Sequence, residues 1–209
     1  MAAAAGAELG VDPRRLTLGR FLTDVADAYA DREAVVFEGR RLRYAEIRSE
    51  AIELARALVG AGVVKGTRVA LLMPNRPEWI TAAFAVGMLG AVAVPVSTLA
   101  TPAERDHVLR HSDAAFLLVQ PSLLSRNYLD ELTSRHPQIA DAAPGRIRCR
   151  ALPQLRSIFA LGYSLRGSES GVIQSWDELL ELGRDVPREL IDELNDEVEP
   201  SDDAFVIYT

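Results

Sequence analysis

The sequence predicts an α/β fold, mainly parallel sheet flanked by helices, with a small antiparallel hairpin near residues 34–43. Three observations carry this expectation. The runs Arg68-Val69-Ala70-Leu71-Leu72-Met73, Ala91-Val92-Ala93-Val94 and Ala115-Phe116-Leu117-Leu118-Val119 are almost wholly apolar, without polar alternation, as strands covered on both faces are. Helical stretches lie between them, the order that parallel sheets require. The helix starts are marked: Thr101-Pro102-Ala103-Glu104 supplies a cap, a proline at the first position and a glutamate that can return a bond, and Ser175-Trp176-Asp177-Glu178 is a second such box.

In chain order, residues 1–15 read as a flexible arm. Thr17 then precedes an amphipathic stretch, Leu18 to Tyr29, in which Phe21, Leu22, Val25, Ala28 and Tyr29 share a face at helical spacing. Ala34 to Phe37 and Arg41 to Arg43, with Gly39 between them, form the hairpin. A helix from Tyr44 to about Val59 buries Ile47, Ala51, Leu54, Ala55 and Leu58, and Gly60 and Gly62 end it. Asn75 is expected to cap the next helix, with Pro77 in its first turn, Glu78 returning a bond, and Trp79 and Phe84 in its core. Gly90 ends that helix, and the strand at Ala91 completes a right-handed β-α-β unit.

The region from about 120 to 156 reads as an irregular insertion with a helix near Leu129, interrupted by Pro137, Pro144-Gly145 and Pro153. Within it Arg146-Ile147-Arg148-Cys149-Arg150-Ala151 alternates strictly. The plain reading is an edge strand with outward arginines; the sharper one is a phosphate-binding groove. Ser157 to Gly162 reads as a strand, Gly162 to Gly171 as a loop, and Asp202 to Thr209 as a turn feeding a strand buried on both faces.

Composition narrows the function. The chain has 209 residues, 48% hydrophobic and 25% charged, as an ordinary globular protein has. A net charge of -7 argues against nucleic acid as a partner. The charge is uneven: residues 177–203 hold twelve carboxylates against Arg184 and Arg188, which fits a solvated helix and loop. The uncharged run from Trp79 to Ala103 is long enough to cross a bilayer of roughly 30 Å, but its cap, glycine and proline signals oppose a spanning helix. The lone Cys149 reads as a small core residue in a reducing compartment, and with no convincing leader peptide the expected location is the cytoplasm.

No self-contained catalytic or metal constellation is visible in the sequence. His107 and His111 are four apart on one helix face, which is metal-ligand spacing, but no further ligand completes a site. They read as surface or capping histidines. His136 precedes a proline at a helix end, where its charge can meet the helix dipole. Asp202 and Asp203 read as a turn rather than an acid/base pair.

Four ordered motifs add a resemblance. Leu42-Arg43-Tyr44-Ala45-Glu46-Ile47, Arg68 to Asn75, Gly87 to Val96 and Asp203-Ala204-Phe205-Val206-Ile207-Tyr208-Thr209 together resemble the amino-terminal part of the adenylate-forming superfamily of acyl-CoA synthetases, luciferases and peptide-synthetase adenylation domains. The resemblance implies that residues 16–209 are an incomplete N-terminal α/β domain of that fold. It implies a two-step reaction in which a carboxylate attacks the α-phosphorus of ATP, giving an acyl-adenylate and pyrophosphate, and a thiol, usually coenzyme A, displaces AMP. The long segment from Gln120 to Arg156 is most similar to bacterial acyl-CoA synthetases acting on medium- or long-chain acids; a fatty acyl-AMP ligase is the alternative.

In that family the tyrosine-threonine pair opens a Ser/Thr/Gly-rich loop for the ATP phosphates, so the resemblance makes Thr209 the one nucleotide-binding residue of this chain. ATP, Mg²⁺, coenzyme A, a carboxylic or fatty acid and a carboxy-terminal part of the same enzyme are implied for a full-length protein. The loop, the adenine and ribose groups and the catalytic lysine all fall later in the family, so this chain alone is expected to bind no cofactor tightly, to be inactive, and to self-associate through an exposed core. A reading of another class is a non-catalytic binding or regulatory half-domain.

Overall fold

The computed structural model describes residues 16–163 and 171–209. The expected arm at 1–15 and most of the expected loop between Gly162 and Gly171 lie outside the described residues. In chain order the first elements are α1 (Leu18–Tyr29), β1 (Glu33–Phe37), β2 (Arg40–Arg43), α2 (Tyr44–Gly60), β3 (Arg68–Leu72), α3 (Pro77–Met88), β4 (Val92–Pro95) and α4 (Pro102–His111). There follow β5 (Phe116–Val119), β6 (Ser122–Leu123), β7 (Arg126–Asn127), α5 (Tyr128–Arg135), α6 (Pro137–Ala140), β8 (Ser157–Ala160), β9 (Ile173–Ser175), α7 (Trp176–Leu182) and α8 (Arg188–Asp196). They form two compact units, one of described residues up to Gly66 with Arg76–Ala91 and Gly183–Ala204, the other of Thr67–Asn75, Val92–Leu182 and Phe205–Thr209.

The first unit packs α1, α2, α3 and α8 and carries the β1–β2 hairpin. The hairpin turn is Glu38-Gly39, with φ of 48° and 80°, the pair of positive values that a two-residue turn matching strand twist requires. In α2 the expected face is buried, Ile47, Ala51, Leu54, Ala55 and Leu58 all being at most 2% exposed. Its end is a Schellman motif: Gly62, at φ 96°, donates to Val59 O (2.9 Å) while Val63 N reaches Leu58 O (2.9 Å). The same arrangement closes α3, where Ala91 N donates to Val86 O at 3.1 Å.

Three expectations in this unit need correction. In α1 the buried stripe runs through Gly19, Leu22, Val25 and Ala26, leaving Phe21 and Ala28 exposed. Phe21 is one residue, about 100°, off Leu22, so the stripe that packs decides which aromatic is left outside. The cap of α3 is Arg76, not Asn75; Arg76 Nε pairs with Glu78 Oε2 at 2.7 Å, so Glu78 does not return a capping bond to Asn75. Trp79 and Phe84 are half-buried; the buried positions of α3 include the small Thr81, Ala82, Ala83, Ala85 and Gly87. A Cβ at Gly87 would lie 2.8 Å from Leu18 Cβ, so it is the small residues that admit close helix packing.

The second unit is built on a five-stranded, wholly parallel sheet in the order β4-β3-β5-β8-β9, with helices packed on it. Register places Val69, Ala93 and Phe116 abreast, and Leu118 beside Phe159. Alternate side chains Ala70, Leu72, Val94, Leu117, Val119, Ile158 and Ala160 share one core with Val108 and Leu109 of α4 and Leu129 and Leu132 of α5. The intervening Val69, Leu71, Ala93, Leu118 and Phe159 are buried equally, which is why these strands read as unbroken apolar runs. Both bonds of the Thr101–Glu104 box form, Thr101 N to Glu104 Oε2 at 2.6 Å and Glu104 N to Thr101 Oγ1 at 3.3 Å. The Ser175–Glu178 box forms likewise, at 2.6 and 3.1 Å.

The irregular region contains more order than the sequence suggested. A two-residue hairpin, β6–β7, precedes α5, whose cap Asn127 Oδ1 accepts from Leu129 N and Asp130 N. The strand β9 had no periodicity signal, being only three residues long. Residues 146–151 are not an edge strand. Their alternation is real in burial, with Ile147 and Cys149 inside and the arginines outside, but apart from Ile147 N bonding Arg156 O (3.2 Å) they join no ladder.

The terminal stretch also departs from expectation. Phe205 makes one isolated parallel bridge to Ala93, closed by Val206 N to Ala93 O at 3.0 Å, and no longer ladder follows. Since β4 is the outer strand, this stretch lies along the sheet margin, and no strand among the described residues covers its other side. Phe205 and Val206 are half-buried and Ile207 is 70% exposed, so it is not a strand buried on both faces.

Candidate functional site

The site follows from sheet topology. After β4 the chain returns to the other side of β3, so the direction of progress reverses between β3 and β5, and parallel sheets bind ligands beyond the carboxyl ends of strands near such reversals. At that edge the β4–α4 loop is held from three sides. Thr98 O accepts from Arg126 Nη1 and from the Tyr128 hydroxyl, both at 3.1 Å; Ala100 O accepts from Arg105 Nη1 at 2.7 Å; and Ser97 Oγ accepts from Leu99 N at 3.2 Å. Arg105, 5% exposed, is itself paired with Glu131. A fixed loop thus presents Leu99, 84% exposed, on the rim of an open cleft.

That cleft, of about 620 Å³, is lined by Pro95, Ser97, Ala100, Glu104, His107, Val108, Tyr208 and Thr209 among others. Thr209 is exposed at its rim. The neighbouring Tyr208 is fastened to α4: its hydroxyl lies 2.8 Å from His111 Nδ1, and its ring meets those of His111 and His107 edge-on at 5.7 and 6.2 Å. The two histidines are stacked, with centroids 5.4 Å apart. Burial raises the Tyr208 phenol above its ordinary range and the nearby Asp113 carboxylate adds to the effect, so it stays a neutral hydroxyl that can bond the imidazole. The Thr101 main-chain N–H holds the Glu104 carboxyl below its ordinary value, which keeps a negative charge on the cleft wall.

The spacing of His107 and His111 therefore serves an aromatic cluster. Among the described residues no group of three or more His, Cys, Asp or Glu is placed to hold a metal. The partner that sequence reasoning missed is Tyr208, 97 residues from His111; its only sequence signal was its place in the fourth motif. The other candidates lie elsewhere. His136 caps α5 with Nε2 at 3.0 Å from Asp106 Oδ2. Cys149 is a buried free thiol bonded by Gln138 Nε2 at 3.6 Å. Asp202 closes a turn, its Oδ2 accepting from Glu199 N (2.7 Å) and pairing with Lys65 Nζ (2.7 Å).

Judged by donor chemistry, the cleft does not fit a triphosphate by itself. Among the described residues its lining offers the hydroxyls of Ser97, Tyr208 and Thr209, the His107 imidazole, main-chain groups and the Glu104 carboxylate, with no lysine or arginine.

Comparison with known proteins agrees with this geometry. The AMP-binding enzyme family matches residues 22–209. YngI of Bacillus subtilis, named as an acyl-CoA synthetase, is 37% identical over 148 residues, 70% of this chain and 27% of its own length. The mitochondrial medium-chain acyl-CoA ligase ACSF2 of Mus musculus is 28% identical over 73% of this chain and 25% of its own length. Among solved structures, the anthranilate CoA ligase AuaEII in complex with anthranoyl-AMP superposes with a TM-score of 0.65 at 26% identity, over 81% of this chain and 29% of that one. The chain spans about a quarter of the length of these curated relatives. Described helices hold no segment long and apolar enough to cross a membrane. With a family match over nearly all of its described residues and a parallel sheet of the matching fold, the chain belongs to the AMP-binding enzyme family.

Proposed function

We propose that residues 16–209 form the amino-terminal region of an AMP-forming acyl-CoA synthetase, and that Thr209 opens its ATP-phosphate loop. The observation that carries this reading is the placement of Tyr208-Thr209 on a cleft at the carboxyl edge of a parallel sheet, held there by His111. Backbone N–H groups beginning at that edge can face an anion. The relatives named as acyl-CoA synthetase and medium-chain acyl-CoA ligase point to a fatty acid as substrate and coenzyme A as acceptor, and the adenylate held by AuaEII points to an acyl-adenylate between the two steps. ATP and Mg²⁺ supply the first step, in which the carboxylate displaces pyrophosphate. We place the enzyme in the cytoplasm, in keeping with a single buried cysteine.

On the same reading the 209 residues alone do not turn over, because among the described residues their cleft presents no lysine or arginine for a triphosphate. Carboxylate-dependent exchange of pyrophosphate into ATP tests both parts. The isolated chain gives none, while a longer polypeptide carrying this segment gives exchange whose KM for ATP rises on Thr209→Ala. Exchange by the isolated chain would overturn the claim of inactivity. Absence of exchange with any fatty acid in the longer polypeptide would overturn the synthetase assignment.

A further inference from the structure

At the opposite, amino-terminal edge of the sheet, just before β8, Arg146, Arg148, Arg150 and Arg156 line a second open cleft of about 590 Å³. We propose that this cleft is a binding site for a phosphate-bearing ligand, separate from the cleft at Thr209.

Local structure holds the arginines on one side. Ile147 (0% exposed) and Cys149 (2%) are anchored in the core, so the alternation leaves Arg146, Arg148 and Arg150 exposed. Main-chain bonds fix both ends: Arg146 N to Ala143 O at 3.0 Å, Ile147 N to Arg156 O at 3.2 Å and Arg156 N to Ala115 O at 2.8 Å. The Arg156 guanidinium is held too, Nη1 donating to Pro153 O at 2.6 Å and Leu155 O at 3.1 Å. At least one cation is therefore set before any ligand arrives, which lowers the ordering cost of binding.

Among the described residues no carboxylate neutralises these charges. Arg40, Arg41, Arg43, Arg48, Arg105 and Arg135 each meet a carboxylate within the ion-pair limit. Among the described residues none of the four cleft arginines does so and no acidic residue lines the cleft, although the chain as a whole carries -7. Four guanidiniums facing one concavity select a multiply charged anion over a single carboxylate, and planar forks suit phosphate oxygens. Among the described residues no aromatic side chain lines the cleft to stack a base, so single-stranded nucleic acid is not favoured. The phosphate can come from a soluble ester or from a lipid headgroup. This proposal stands independently of the synthetase reading, since it concerns the other edge of the sheet.

The test is titration of the whole chain with inorganic pyrophosphate, and sedimentation with vesicles of phosphatidylglycerol or of phosphatidylcholine. Each is repeated for the triple variant Arg146→Gln, Arg148→Gln, Arg150→Gln and for the control Arg110→Gln, Arg188→Gln. The three side chains are exposed, so the triple variant keeps the wild-type melting temperature. Pyrophosphate affinity falls at least tenfold in the triple variant and less than twofold in the control, and added salt weakens it. Loss of phosphatidylglycerol binding alone would assign the headgroup as the source of the phosphate and still support the site. Equal behaviour of wild type and triple variant in both arms, or an equal loss in the control, overturns it.

Discussion

Gly183 lies where a turn meets α2 in the first unit, and replacing it with alanine gives a sharp test of the packing. An alanine Cβ there would stand 2.5 Å from Ala57 N, 2.8 Å from Ala57 Cα and 2.8 Å from the Arg56 carbonyl carbon. All three are main-chain atoms in the interior of α2, so no side chain can swing away. Reaching an ordinary contact of about 3.5 Å requires the turn to retreat by about 1 Å. Arg56 opposes that retreat, because Nε donates to Val186 O at 2.7 Å and Nη2 to Arg184 O at 3.1 Å. Overpacking costs about 1–3 kcal/mol, and weakening one hydrogen bond from a charged donor adds about 1 kcal/mol or more. A total of about 2–4 kcal/mol corresponds to a melting temperature lower by about 5–15 °C for a chain of this length. The control is Gly39→Ala, at φ 80° with nothing within 4 Å of its Cβ, where only the backbone penalty of about 1 kcal/mol applies. Thermal and urea unfolding followed by circular dichroism measures both. If Gly183→Ala melts within about 1 °C of wild type, or no lower than Gly39→Ala, the turn is not seated on α2 as described.

Further outcomes follow from the same structure. Tyr208→Phe removes the bond to His111, worth about 0.5–1.5 kcal/mol, so amide exchange at residues 206–209 should accelerate by roughly 2- to 10-fold; unchanged exchange would show that the imidazole does not fasten this stretch. Ile158→Ala, at a fully buried position of β8, should cost about 2–5 kcal/mol in denaturant unfolding; a loss under 1 kcal/mol would contradict a packed core there. The Lys65–Asp202 pair makes a pH prediction: its partner's hydrogen bond lowers Asp202 and raises Lys65. The Asp202 contribution is present above its unfolded value of about 3.9 and is lost as pH falls through the lower folded value. The Lys65 contribution is present below about 10.4 and is lost as pH rises through the higher folded value. Lys65→Met should therefore lower stability between about pH 4 and 10, converging with wild type at both extremes; a constant difference across pH would refute the pairing.

Local signals were legible wherever one residue's chemistry settled the backbone. The Thr101 and Ser175 boxes formed because hydroxyl and carboxylate lie within three residues of the groups they satisfy. The wholly apolar strands were legible because both faces of β3, β4, β5 and β8 are buried. Burial alternation at Ile147 and Cys149 was legible, but strand identity was not, since a ladder depends on a partner the segment itself cannot specify. The same limit explains the terminal stretch, where β-branched and aromatic residues give strand propensity and the edge position of β4 allows a single bridge.

The sequence by itself determined the α/β class, the Thr101 and Ser175 capping boxes, the apolar strands β3, β4, β5 and β8 and, through four motifs, the family. Each of these rests on spacings shorter than a helix turn or a strand, or on residue identity read directly. Only the tertiary structure decided that β5 returns beside β3, that Tyr208 meets His111, and that four arginines before β8 share one cleft in which no described residue supplies a carboxylate. Those pairings join residues far apart in the chain, and they are set by which apolar surfaces bury together, a property of the whole fold that no local pattern carries.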